Sequence, residues 1–176
     1  MHALIRSFIL FLAAGSANVY AQRCGATCSN AVSLIGLSEQ VLTSVIPELI
    51  RAKKPMVGPR HSIGKWLLKD ARLGKESYLA TYFIKSGLVT RIEYLSTASR
   101  PLCEKRTPFE LALSELASIY ESSQVSGAFE GSGRYTQSAA FISQTIDIAL
   151  HYSLTPDDCS TRIIFKPREL KDGSEL

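Results

Sequence analysis

The chain has 176 residues, with 20 Lys and Arg against 16 Asp and Glu, a formal net charge of +4, and four cysteines. That length suits one ordinary domain or two very small ones, and it can bury a real core without disulfides. So mild a charge does not point to nucleic acid, whose binding domains are usually far more basic.

Residues 1–21 read as a cleavable export signal. Arg6 supplies the positive start, Phe8-Ile9-Leu10-Phe11-Leu12-Ala13-Ala14 a short apolar centre, and Val19-Tyr20-Ala21 a small-residue exit. The expected cut lies after Ala21, before Gln22; Gly15-Ser16-Ala17 offers a second cut after Ala17. The apolar centre is shorter than the roughly 20 residues that span a bilayer. Cys24 follows Gln22-Arg23, where lipid attachment would need small residues. Removing 21 of 176 residues leaves 155, and losing Arg6 lowers the charge from +4 to +3. No later stretch is long and apolar enough to re-enter a membrane. A periplasmic or secreted protein without a transmembrane segment is therefore expected.

Cys24, Cys28, Cys103 and Cys159 all outlast that cleavage. An even count in an exported chain favours disulfides over metal binding or free thiols. Three pairings are possible; the expected set is Cys24 with Cys28 and Cys103 with Cys159. The spacing of the first pair, Cys-x-x-x-Cys, departs from the Cys-x-x-Cys of a redox motif.

Residues 22–33 read as a polar N-terminal arm. From 34 to 52, Leu34, Leu37, Val41, Leu42, Val45, Ile46, Leu49 and Ile50 recur at helical spacing. Ser38 can cap this helix, Pro47 should kink or split it, and Lys54-Pro55-Met56-Val57-Gly58-Pro59 should stop it. Strands are expected at 64–70, 77–84 and 88–96, the last two joined as a hairpin by Ser86-Gly87. Pairing Ile84 with Val89 sets Leu79 opposite Tyr94, Thr81 opposite Ile92 and Phe83 opposite Thr90 on the expected core face. Tyr82 and Arg91, with Ala80 and Glu93, then fall on the other side.

Thr107-Pro108-Phe109-Glu110 reads as a helix start, with a capping hydroxyl, proline at the first position and a carboxylate reaching back. Its apolar stripe is Phe109, Leu113, Leu116, Ala117 and Tyr120. Gly127, Gly131 and Gly133 mark a loop, and strands follow at 138–142, 146–154 and 159–165. Thr155-Pro156-Asp157-Asp158 is a turn. Residues 167–176 read as a charged, frayed tail. The fold class is α+β: residues 34–166 form one domain of two α-βββ halves, 34–97 and 107–166, whose antiparallel sheet is packed by helices.

Gly36-Leu37-Ser38 before a helical run, and Gly87-x-Val89 within a hairpin, resemble the helix-plus-meander domains of the outer-membrane assembly lipoprotein family. In tandem, such units are similar in architecture to the β-lactamase inhibitor protein family. The likeness covers 34–165, and the lipid-attachment cysteine of those lipoproteins is absent. It implies a binding or scaffolding role and no catalytic residues.

The residues themselves agree. Pairing Leu154 with Cys159 sets His151 opposite Arg162 and Asp147 opposite Lys166, with Ile148, Leu150, Ile163 and Phe165 on the core side. Asp147 and His151 share a face but stand about 13 Å apart by the strand rise, beyond hydrogen-bond reach. His61 reads as a solvated loop histidine. Gly131-Ser132-Gly133 lacks the strand–turn–helix setting of a nucleophile elbow, and Asp157 and Asp158 suit turn chemistry. No metal-ligand spacing and no phosphate-binding glycine loop is present, so no cofactor, metal or catalytic residue is expected.

The segment 51–75 carries Arg51, Lys53, Lys54, Arg60, Lys65, Lys69, Arg72 and Lys75 against Asp70 alone, a surplus of seven charges. Read as a strand, it turns Lys65 and Lys69 outward and Trp66 into the core. Such a surface can steer an acidic protein or an anionic envelope component; the plainer alternative is a solvated face. The leading functional expectation is an exported, non-enzymatic binding module, an inhibitor or immunity-type protein. An envelope-assembly scaffold is the second. A small hydrolase using His61 or His151 is the third, and a pocket joining a histidine to another polar group within about 3 Å would favour it.

Overall fold

A computed structural model describes residues 31–120, 123–130 and 133–168. The expected export signal and its expected cut, Cys24, Cys28, Gly131, Ser132 and residues 169–176 lie outside the described residues. Helices α1 (Ala31–Leu34) and α2 (Glu39–Val45) lead into strands β1 (Ile50–Val57), β2 (Ile63–Leu73), β3 (Glu76–Lys85) and β4 (Leu88–Ser96). Helices α3 (Arg100–Glu104) and α4 (Thr107–Ile119) then lead into β5 (Ser123–Glu130), β6 (Arg134–Ile142), β7 (Ile146–Leu154) and β8 (Cys159–Pro167). The class is α+β, with one antiparallel sheet in the order β1-β2-β3-β4-β8-β7-β6-β5.

Each half therefore holds four strands where three were expected, the additions being β1 and β5. The apolar spacing through 34–52 continues past Val45, but the helix does not: α2 stops there, Ile46 leaves the helical region (φ −129, ψ 83), and Pro47 follows. Residues 50–57 instead form an edge strand, where Pro55 sacrifices no interior ladder bond. Gly127 lies within β5 opposite Gln137, not in a loop, and β6 begins at Arg134, four residues before the expected start. The expected polar arm ends sooner as well, because Ala31 and Leu34 of α1 are buried.

Two helix starts differ in kind. Ser38 caps α2 by accepting from the Val41 N–H at 3.3 Å. Thr107 does not cap α4; Arg106 holds that position in a left-handed conformation, with no side-chain cap bond. Helix α3 ends just before it, and the Arg106 N–H is turned back onto the Cys103 carbonyl at 2.7 Å. Along α4 the buried stripe is Pro108, Phe109, Ala112 and Leu116, with Ala117 exposed.

Register decides which residues enter the core. Ser86 (φ 51) and Gly87 (φ 76) form the tight turn with both central residues left-handed, and Ile84 pairs with Val89 as expected. Thr90 is then an extra residue on β4, a bulge, so Phe83 pairs with Arg91, Tyr82 with Ile92 and Ala80 with Tyr94. One inserted residue exchanges the faces. Ile92 and Tyr94 point to the helices as expected, joined there by Tyr78, Ala80 and Tyr82, while Leu79, Thr81 and Phe83 take the opposite side, which reverses the expectation for β3 alone.

Strand β2 carries two irregularities of its own. Lys65 is the extra residue at the first; at the second, Asp70 adopts φ 58. The simple alternation of Lys65, Trp66 and Lys69 is broken by them. Trp66 is half-buried and, with Lys65, turns to Glu39 of α2.

In the second half, Leu154 pairs with Cys159, His151 with Arg162 and Asp147 with Lys166, as the sequence indicated. Ile148, Leu150, Ile163 and Phe165 are all buried beneath the helices. A Cys103–Cys159 disulfide ties α3 to the start of β8, with Cα atoms 6.0 Å apart. Beside it, Arg100 donates to the Pro156 and Asp157 carbonyls at 2.7 and 3.0 Å, fastening the β7–β8 turn to the same helix. The bridge closes 56 residues, for which the chain-entropy treatment gives about 4 kcal/mol. Replacing both cysteines by alanine is expected to lower stability by about 2–4 kcal/mol, read as a lower urea midpoint that reductant no longer shifts.

Candidate functional site

The antiparallel sheet has two faces of different character. One is the core beneath the helices. On the other, pairing aligns Ile50, Leu67, Thr81, Glu93, Ile164, Ala149 and Ala140 in one row crossing seven strands. A neighbouring row runs Leu79, Leu95, Arg162, His151 and Ser138. Leu95, Arg162, His151, Ala140 and Ile142 on this face are exposed, so it is open to solvent across β4, β8, β7 and β6. Toward β2 and β3 it is covered: Thr81 and Phe83 are only 5% and 2% exposed.

The cover is the Pro59–His61 turn. Gly58 donates to Ser62 O at 2.7 Å, and the Ser62 hydroxyl donates to Pro59 O at 2.9 Å. A Cβ on Gly58 would stand 2.6 Å from the Phe83 ring, closer than real contacts allow, so glycine lets the turn lie on that ring. From the open side the Arg91 guanidinium sits 5.9 Å from the ring centroid.

Charges in the middle of the face are tied together. Arg91 Nε meets Glu93 Oε1 at 2.6 Å, and Arg162 reaches Glu93 Oε2 at 3.6 Å. The Arg91 and Glu93 side chains are 18% and 13% exposed, so this pair is largely withdrawn from water. Next to it, Ser138 Oγ and His151 Nδ1 are 3.0 Å apart. Burial first, then Arg162 and then Arg91, hold the His151 imidazole below its ordinary value.

The basic residues of 51–75 do not gather on one surface. Arg51 lies at the sheet edge opposite Trp66, and Lys53 and Lys54 are exposed on β1 where its pairing lapses. Lys65 is ion-paired with Glu39, whose carboxyl is held low by Lys65 above all. Lys69 is exposed beside the left-handed Asp70, and Arg72 is exposed and donates to Lys75 O at 3.3 Å. Arg60 goes elsewhere. It lines a cleft of about 520 Å³ with Lys85, Arg91 and Lys166, at the end of the open face. Those cations come from four separate segments, so no window of sequence displays them together.

His61 is exposed in the same turn, and Asp158 closes its own turn through backbone bonds with Thr155, while the Asp157 carbonyl accepts from Arg100. Sequence spacing separated His151 from Asp147 but missed Ser138, which only the β6–β7 register places opposite His151. Ser138 sits in the interior of a ladder, paired with Ser126 on one side and His151 on the other. Neighbouring backbone N–H groups are thus engaged across strands, where an oxyanion hole would need them free. Among the described residues, no three His, Cys, Asp or Glu side chains are grouped to hold a metal ion. No helix there is long and apolar enough to cross a membrane. No protein-family profile matches the chain, and no curated protein or solved structure does.

Folding favours the neutral His151 ring, so its contribution to stability is complete above about pH 6.5, the ordinary imidazole value, and declines as pH falls from there toward the lowered folded value. An NMR titration of the His151 ring is expected to give a midpoint below that ordinary value, and His151→Gln to flatten the acid side of the stability profile.

Proposed function

We propose that the chain is an exported, non-enzymatic binding module that holds another extracytoplasmic protein against its open sheet face, as an inhibitor or immunity-type protein does. The observation that carries this reading is that open face. Strands stand about 4.8 Å apart and rise about 3.3 Å per residue, so the four open strands, nine residues each, offer roughly 19 by 30 Å. That is roughly 570 Å², most of the ~800 Å² each partner contributes to a standard interface. The face mixes apolar side chains, Leu95, Ile164 and Ala149, with an ion-paired centre whose geometry is already fixed. Preset side chains lose little entropy on binding.

Helices followed by four strands, twice over, support a tandem arrangement of two helix-plus-sheet units of the kind the sequence resemblance implies. The Cys103–Cys159 disulfide supports an oxidising compartment, the periplasm or beyond. N-terminal sequencing of the exported protein is expected to begin at Gln22; retention of Met1 overturns the export reading.

A scaffold with a resident envelope partner would use the same face. The Ser138–His151 contact is the one observation that favours a hydrolase. It lies in a strand interior, no third residue among the described ones orients the ring, and burial first, then two arginines, weaken the imidazole as a base. Covalent labelling of Ser138 by a fluorophosphonate would replace the binding reading with that one.

The partner is to be captured by a photo-crosslinker placed at position 95 and identified, and its affinity then measured. Leu95→Arg is expected to weaken association at least tenfold while leaving the circular dichroism unchanged, because it sets a new charge in the centre of the contact. Unaltered affinity in that variant sinks the proposal.

A further inference from the structure

The cleft at the end of the open face brings together cations that lie far apart in the sequence. Arg60 comes from the turn, Lys85 from the end of β3, Arg91 from β4 and Lys166 from the end of β8. Half of its eight lining residues are cations and none is an acid. Glu93 takes the Arg91 Nε, and Asp147 stands across the strand pair from Lys166. Neither Lys85 nor Lys166 forms an ion pair among the described residues. Cations converging on a low-dielectric wall repel one another and concentrate anions from solution.

The backbone holds this arrangement at a cost. Arg60 (φ 56) and His61 (φ 61) are consecutive left-handed residues with side chains, a conformation that persists only where the surroundings over-determine it. Here they do: Gly58 and Ser62 close the turn, and the Phe83 ring lies under it. Pro59 and Pro167 add rigid apolar walls. Thr90, the bulge residue, lines the cleft beside Arg91.

We propose that this cleft receives an acidic peptide segment, carrying two or more carboxylates, from the protein that docks on the open face. The inference rests on that docking reading. Its ligand class follows from shape and continuity. About 520 Å³ is more than a single oxyanion fills and lies within the roughly 300–1,000 Å³ of ligand clefts. Arg91 belongs both to the cleft and to the ion-paired centre of the face, so a segment crossing the sheet runs directly into the cleft.

The test uses the full chain and a fluorescein-labelled hexaglutamate peptide, read by anisotropy over a salt series. Wild type is expected to bind, with affinity falling steeply as salt rises. Lys85→Glu with Lys166→Glu is expected to weaken binding at least tenfold, while Lys53→Glu with Lys54→Glu, the same charge change on the edge strand, shifts it less than twofold. Equal losses in the two double variants, or no binding to wild type, overturn the proposal. Displacement of the peptide by inorganic phosphate at equal charge, or binding to phosphatidylglycerol vesicles that the cleft variant abolishes, overturns the peptide assignment in favour of a phosphate group. A partner lost on Leu95→Arg but retained by the cleft variant refutes this inference alone. Peptide binding that stands while Leu95→Arg costs the partner nothing refutes the docking reading alone.

Discussion

Everything on the open face depends on one seam, the antiparallel pairing of β4 with β8. Hairpins hold the other neighbours together through short turns, but these two strands are separated by two helices and three strands. Ile92 pairs with Phe165, Glu93 with Ile164, Tyr94 with Ile163 and Leu95 with Arg162. On the core side, Tyr94 meets Phe165 edge to face at 5.3 Å. On the open side the same rungs carry Glu93 toward Arg162. Aromatic packing below and the shared carboxylate above therefore fix one register between them, and a slip of one residue would exchange both faces at once. A seam of such long sequence separation closes a large loop, which slows folding more than it lowers stability.

The disulfide acts on that seam from the side. Cys159 opens β8, and Cys103 lies in the helix pair that packs on it. Arg100 holds the turn from which β8 departs. The start of the central strand is thus fastened twice, covalently and by hydrogen bonds, before it reaches β4. Phe109 and Tyr152, 6.0 Å apart, carry the same contact into the hydrophobic core.

Where local chemistry alone governs, the sequence was legible. Ser86-Gly87 specified its turn, Leu154 with Cys159 set a register that carried through nine pairs, and Cys103 with Cys159 were correctly matched. It was not legible where an inserted residue intervenes. Thr90 looks like any strand threonine, yet as a bulge it moved Tyr82 and Ala80 into the core and Phe83 out of it. On β2 the extra residue, Lys65, leaves Trp66 opposite Tyr82 and packed against the core, the side expected for it. Apolar spacing also failed at residues 45–50, because a helix pattern and an edge strand can share the same few residues until Pro47 decides between them. Of the candidate site, only Arg60 was visible beforehand. Lys85, Arg91 and Lys166 are scattered over 81 residues (166 − 85) and meet through register alone.

That same bulge explains why the face is chemically uneven. Without Thr90, the expected pairing would have set Glu93 opposite Ala80 and Arg91 opposite Tyr82. With it, Arg91 and Glu93, which share a face in either register, stand opposite Phe83 and Thr81 instead. Phe83, turned away from the helices, would then be an exposed ring if the Gly58 turn did not cover it. Covering it in turn carries Arg60 to the rim of the cleft. One extra residue on β4, one glycine without a side chain and two left-handed residues thus form a single chain of consequences. It converts a hairpin end, ordinarily the least informative part of a sheet, into a concavity lined by four cations.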